Sequence, residues 1–147
     1  MIVGRIANRG IVSSQEIKEA YKKAFNIPKF SPCWNNKPCF HFADETYEET
    51  DLDLIKQVIE ENQADKAQYI TEKRDCDNFS FDLMGALRGV DDRTCGMPIF
   101  IVWVLTPHGG HALLSFYHQS KVYLIEPQTD EITDSISPEY KLILIIG

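Results

Sequence analysis

A chain of 147 residues, 44% hydrophobic and 25% charged, has the length and balance of one globular domain, which excludes long disorder, a collagen-like repeat or a coiled coil as the whole-chain answer. Fifteen Lys and Arg stand against 22 Asp and Glu, a formal charge of −7, so the basic footprint that grips a phosphate backbone is missing and nucleic acid is not an expected partner. No run approaches the roughly 20 apolar residues that span a bilayer, so no membrane partner is expected.

From Ser14 to Phe25, apolar residues fall at Ile17, Ala20, Tyr21, Ala24 and Phe25, the spacing of a helix with one buried stripe. Pro28, Pro32 and Pro38 then interrupt regular structure, and Trp34, Cys39, Phe40 and Phe42 supply bulk, which predicts an extended segment over residues 26–43 that ends in a short strand. Thr50 with Asp53 resembles a capping arrangement, and Leu52, Ile55, Val58 and Ile59 carry a second helical stripe over about 51–62. A third helix, largely buried, is predicted from Asp75 to Arg88 on Phe79, Leu83, Ala86 and Leu87, widened by Phe81 and Met84 and stopped at Gly89.

Beyond it the pattern turns strand-like at Pro98–Leu105, His111–His118, Lys121–Ile125 and Lys141–Ile146. Helices first and strands second predict an α+β fold, with a central buried helix packed on a mainly antiparallel sheet, as a single domain over residues 1–147. Met1–Arg5 leads into polar sequence rather than a signal-peptide core. Cys33, Cys39, Cys76 and Cys95 form no C-x-x-C pair and no disulfide pattern. A reducing, cytoplasmic location is therefore expected.

Cys76 falls in the first turn of the third helix, where free backbone amides and the helix dipole favour a thiolate, although Asp75 and Asp77 flank it. A nucleophilic thiol needs a base, and His111 follows Gly109 and Gly110 at the start of a strand. If Gln119 and Ser120 make a two-residue turn, His118 pairs with Lys121. His111 then faces Gln128 directly and Glu126 diagonally, on one side of the sheet. Glu126 is thereby placed to orient the imidazole, with Gln128 as the second choice.

The series Asp75-Cys76-Asp77-Asn78-Phe79, Gly109-Gly110-His111-Ala112 and Tyr123-Leu124-Ile125-Glu126-Pro127-Gln128-Thr129 resembles the papain and transglutaminase-like cysteine protease superfamily. Within it, the series is most similar to the C-terminal cysteine-protease domain of the Marasmius mushroom agglutinin and its bacterial and phage relatives. The resemblance covers residues 69–129. It implies a papain-like fold and a thiol hydrolase that cleaves peptide or amide bonds of a peptide or protein substrate. Cys76 would be the nucleophile, His111 the base and Glu126 the orienter of a catalytic triad, working through a thioester acyl-enzyme. An oxyanion hole would use the Cys76 amide and a side chain such as Asn62, Gln63 or Gln68. The family's calcium dependence implies Ca2+ as a possible ion, with Asp75, Asp77 and Asp82 or the Asp44, Glu45, Glu48, Glu49 group as hard oxygen ligands. No cofactor is required for the chemistry itself.

Other readings stand beside this one. Cell-wall peptide amidase or transamidase chemistry fits the same three residues, and so does a binding or structural module that keeps the fold without turnover. Cys33, Cys39 and Cys95 read as structural, since free cysteine is commonly buried. His108 and His111 with Cys95 or His118 offer zinc-type ligands at a spacing that matches no common zinc pattern. Trp34, Tyr47 and Tyr69 are candidates to line a cleft.

Overall fold

The computed structural model describes residues 9–27, 38–62, 66–71, 73 and 75–147. The chain starts with strand β1, Ile11–Ser13, which runs directly into helix α1, Ser14–Ala24. Ser13 closes the strand and opens the helix: its hydroxyl oxygen accepts the Glu16 N–H at 3.2 Å, satisfying one of the free amides of the first turn. Glu16 near the start and Lys22 and Lys23 near the end match the helix dipole. Ile17 and Tyr21, one turn apart, are fully buried. Of the expected extended segment, residues 28–37 lie outside the described residues, and with them Cys33 and Trp34. Its end forms strand β2, Cys39–His41.

Strand β3, Thr46–Glu48, pairs antiparallel with β1 in a small ribbon that sets Val12 opposite Tyr47. Helix α2, Leu52–Glu61, is capped by Asp51, whose Oδ1 accepts the Leu54 N–H at 3.1 Å. Thr50, expected to take part in the cap, instead donates its hydroxyl to the Tyr117 carbonyl and ties the helix start to the sheet. Helix α3, Cys76–Met84, gives way to a π-helical stretch, Gly85–Val90, rather than continuing regularly to Arg88. Thr94 Oγ1 donates to the Leu87 carbonyl near that end. The buried side of α3 is also narrower than expected: Phe79, Ser80 and Leu83 are buried, whereas Phe81 is 54% exposed and leans on Trp103.

The remaining strands are β4, Ile99–Thr106; β5, Gly109–His118; β6, Lys121–Glu126; β7, Glu131–Thr133; and β8, Lys141–Ile146. They join β2 in a six-stranded sheet of order β2-β8-β4-β5-β6-β7. Among the described residues, only the β2–β8 pairing of this sheet is parallel. The fold is therefore α+β with a mostly antiparallel sheet, as expected.

Alternation along β4 splits the core in two. Phe100, Val102 and Val104 point to the α1 side and pack with Ile17 and Tyr21. Ile99 and Ile101 point the other way, to Ile55 and Ile59 of α2, Leu83 of α3 and Leu87 of the π-helical stretch. Phe100 is the hub of the first side, with Phe42, Tyr47 and Tyr21 set edge-on at centroid distances of 5.1, 5.4 and 5.9 Å, the arrangement that ring quadrupoles favour. Among the described residues, no helix is long and apolar enough to cross a membrane.

Candidate functional site

Cys76 is the first residue of α3 and is partly exposed. Local chemistry sets the helix start: Asn78 Oδ1 accepts the Asp75 N–H at 3.1 Å, and Ser80 Oγ donates to the Cys76 carbonyl at 2.8 Å. Asp77, one of the two acids flanking the thiol, turns its Oδ1 to the Asn78 N–H at 2.9 Å, so one carboxylate oxygen is engaged by the helix's own backbone. The Cys76 Sγ accepts the Ala112 N–H across 3.5 Å. That contact fastens the start of α3 to β5 beside His111.

The β5–β6 hairpin brings up the other two side chains. Gln119 and Ser120 have φ of 48° and 65°, the left-handed pair of a tight two-residue turn. His118 pairs with Lys121 and Leu114 with Ile125, the register read from the sequence. Continued toward the strand ends, that register puts His111 and Glu126 on one face, and His111 Nε2 lies 2.8 Å from Glu126 Oε2. Each side chain is 26% exposed, so the pair is open to a ligand and still partly shielded.

The carboxylate is held from a second direction, since the Gln128 backbone N–H donates to Glu126 Oε1 at 3.3 Å. Gln128 thus steadies Glu126 through its backbone. Upstream, Gly109 has φ of 121°, a conformation that strains any residue with a Cβ. It lets the β4–β5 connection turn sharply before His111, with Thr106 Oγ1 donating to the Gly109 carbonyl at 2.9 Å.

Gln63 lies outside the described residues; Gln68 is exposed in the segment before α3, and Asn62 is the C-cap of α2. Tyr47 is a core residue whose hydroxyl donates to the Gly147 carbonyl at 2.8 Å, not a cleft-lining group. Tyr69 is exposed. Cys39 and Cys95, read as structural, are exposed thiols; each stands at a short strand or loop where no core closes over it. Asp44 is within 3.4 Å of Arg88, and Glu48 within 3.4 Å of Arg9. Among the described residues, no group of three or more His, Cys, Asp or Glu side chains is arranged to hold a metal ion.

Two structural features were not legible as site elements. The Ala112 backbone donor to sulfur and the Gln128 backbone donor to Glu126 carry no side-chain signature. The turn after β6 was the available hint for the second, since Pro127 follows Glu126 directly.

These observations define an α+β domain with a sheet between helices, a partly exposed imidazole–carboxylate pair on the β5–β6 hairpin and a partly exposed thiol at the start of α3. No family model matches the chain, and no curated protein matches it. Among solved structures, a complex of PSL1a with E64 superposes with a TM-score of 0.75 at 16% identity, covering 93% of this chain and 50% of that one. A Polyporus squamosus lectin bound to a human-type influenza-binding epitope, Neu5Aca2-6Galb1-4GlcNAc, superposes with a TM-score of 0.70 at 15% identity, covering 93% of this chain and 49% of that one. The chain spans about half the length of these structures, and the likeness shows a shared fold.

The comparisons correct the family expectation. The similar solved structure named by its class is a lectin holding a glycan, and no protease family is matched. The resemblance to papain and transglutaminase-like cysteine proteases, the peptidase or hydrolase activity, and the catalytic-triad reading are overturned on that finding. The physical reason is general: a fold hosts unrelated functions, and a short Cys, His and Glu series in the sequence does not say what those residues do.

Proposed function

We propose that the chain is a binding module, one domain over residues 1–147, whose ligand site is the cluster of Cys76, His111 and Glu126. What supports this is the His111–Glu126 pair, two residues distant in sequence at one partly open place, together with a thiol at the start of α3 that reaches the backbone beside His111. His111 and Glu126 are 2.8 Å apart, and the Cys76 sulfur accepts a hydrogen bond from the backbone N–H of Ala112, the residue after His111. Convergent polar groups that keep part of their surface exposed on a rigid sheet and helix end are what a ligand site requires.

The papain-like layout, a central helix against an antiparallel sheet with a thiol at the helix start, is part of the same proposal and is supported by α3 beginning at Cys76. The fold likeness supports binding from two directions, because one similar structure is a complex with E64 and the other holds a sialylated glycan.

Titration with E64 tests the reading, followed by calorimetry and intact-mass measurement on the wild-type chain, Cys76→Ser and His111→Ala. Binding by the wild type that weakens about tenfold or more in both variants, with unchanged circular dichroism, is the expected result; tenfold corresponds to about 1.4 kcal/mol. Equal binding by all three proteins places the site elsewhere. Release of peptides from casein that Cys76→Ala abolishes overturns the binding-module reading itself.

A further inference from the structure

A cavity of about 200 Å3 opens on the α1 face of the sheet, on the side of β6 that carries Glu126. Leu113 and Leu124, both 4% exposed, form its floor. Glu126 and Glu131, cross-strand partners at the β6–β7 turn, bring carboxylates to its wall. Thr133, Ser137 and Tyr140 bring hydroxyls.

The lining chemistry selects the ligand. With two carboxylates and no Lys or Arg among the described lining residues, an anionic group is repelled. An ammonium or guanidinium group meets the carboxylates and the second lone pair of each hydroxyl, but leaves the hydroxyl protons and the leucine floor unmatched. Thr133 Oγ1 already accepts the Ser135 N–H at 3.0 Å, and Ser137 Oγ accepts the Glu139 N–H at 3.3 Å. Each hydroxyl keeps its proton to donate, and an ammonium or guanidinium group offers nothing that accepts it. A ligand that presents hydroxyl donors to the carboxylates, oxygen acceptors to the hydroxyls and C–H groups to the leucines satisfies every wall at once.

We infer that this cavity is a binding site for an uncharged polyhydroxylated ring, a neutral sugar, distinct from the Cys76 site and touching it only through Glu126. A sialylated terminus is disfavoured here by charge, so the site differs in ligand class from the epitope bound by the Polyporus squamosus lectin.

Saturation-transfer NMR and calorimetry with the methyl glycosides of glucose, galactose and mannose, with N-acetylneuraminic acid as the anionic arm and agmatine as the cationic arm, test the site. The variants are Glu131→Gln, Ser137→Ala and Cys76→Ser. At least one neutral glycoside binds saturably and is weakened about tenfold by Glu131→Gln, which loses a hydrogen bond to a charged acceptor. Ser137→Ala weakens it too, Cys76→Ser leaves it unchanged, and the acid does not compete. Absence of glycoside binding, preference for agmatine or for N-acetylneuraminic acid, or indifference to both Glu131→Gln and Ser137→Ala overturns the inference. Loss of E64 binding in Cys76→Ser with glycoside binding intact separates this site from the thiol site.

Discussion

Tyr21 and Ser115 offer a quantitative test of how α1 is fixed to the sheet. Both are 0% exposed. Ser115 Oγ donates to the Tyr123 carbonyl at 2.7 Å, so it accepts the Tyr21 hydroxyl across their 2.6 Å separation. The result is a buried relay of helix, β5 and β6. Burial holds the Tyr21 hydroxyl well above the usual tyrosine range, which keeps it a donor throughout the neutral and mildly alkaline region.

Tyr21→Phe removes one donor and leaves Ser115 its bond to Tyr123, a loss of about 1 kcal/mol. Ser115→Ala is worse, because it strands the buried Tyr21 O–H and removes a donor from Tyr123; about 3 kcal/mol is expected. The double variant has no stranded hydroxyl, so its cost falls to about 2 kcal/mol, below the sum of the single costs. For a chain of this size, each kcal/mol moves the midpoint by about 3 °C. Urea and thermal unfolding of the four proteins measure the cycle. Additive costs within about 0.5 kcal/mol, or a Ser115→Ala variant as stable as the wild type, would refute the relay.

Other consequences follow from specific contacts. Asp51→Ala removes the side-chain cap of α2 and should cost about 1 kcal/mol in urea unfolding. Leu83→Ala, at a position 1% exposed under α3, should cost about 2–5 kcal/mol and lower the melting temperature accordingly. Arg93 bridges Glu61 at the end of α2 to Asp91, and its hydrogen bonds hold both carboxyls below their ordinary range. Depressed carboxyl pKa values contribute stability that is present above the unfolded-state range and lost as pH falls through the folded-state values. The melting-temperature gap between the wild type and Arg93→Met should therefore shrink as pH is lowered from neutral into the acid range; a gap that widens there would contradict the linkage.

Much of this geometry was legible because it follows from period and turn chemistry. The stripe from Ile17 to Tyr21 marks α1, and the register of Gln119 and Ser120 put His111 and Glu126 on one face. What escaped has physical reasons. Three-residue strands such as Ile11–Ser13 and Glu131–Thr133 are too short to show alternation, and their pairing is set by partners remote in sequence. The parallel partnership of Cys39–His41 with β8 is likewise a tertiary fact.

Gly89 reads as a helix stop, yet the ladder changes pitch already at Gly85, where nothing in the stripe signals a π-helical stretch. Phe81 looks like core by spacing and lies exposed against Trp103, because the buried face of α3 is made by Phe79, Ser80 and Leu83. Function was the least legible level. The pairing of His111 with Glu126 follows from the hairpin register, whereas what binds there depends on the surrounding surface.

The most direct test is E64 titration of the wild-type chain beside Cys76→Ser and His111→Ala, with casein hydrolysis recorded on the same preparations. Saturable binding that both substitutions weaken about tenfold or more, without peptide release, is the result predicted for a binding module centred on these residues. Binding indifferent to both substitutions, or hydrolysis that disappears with the thiol, would contradict it.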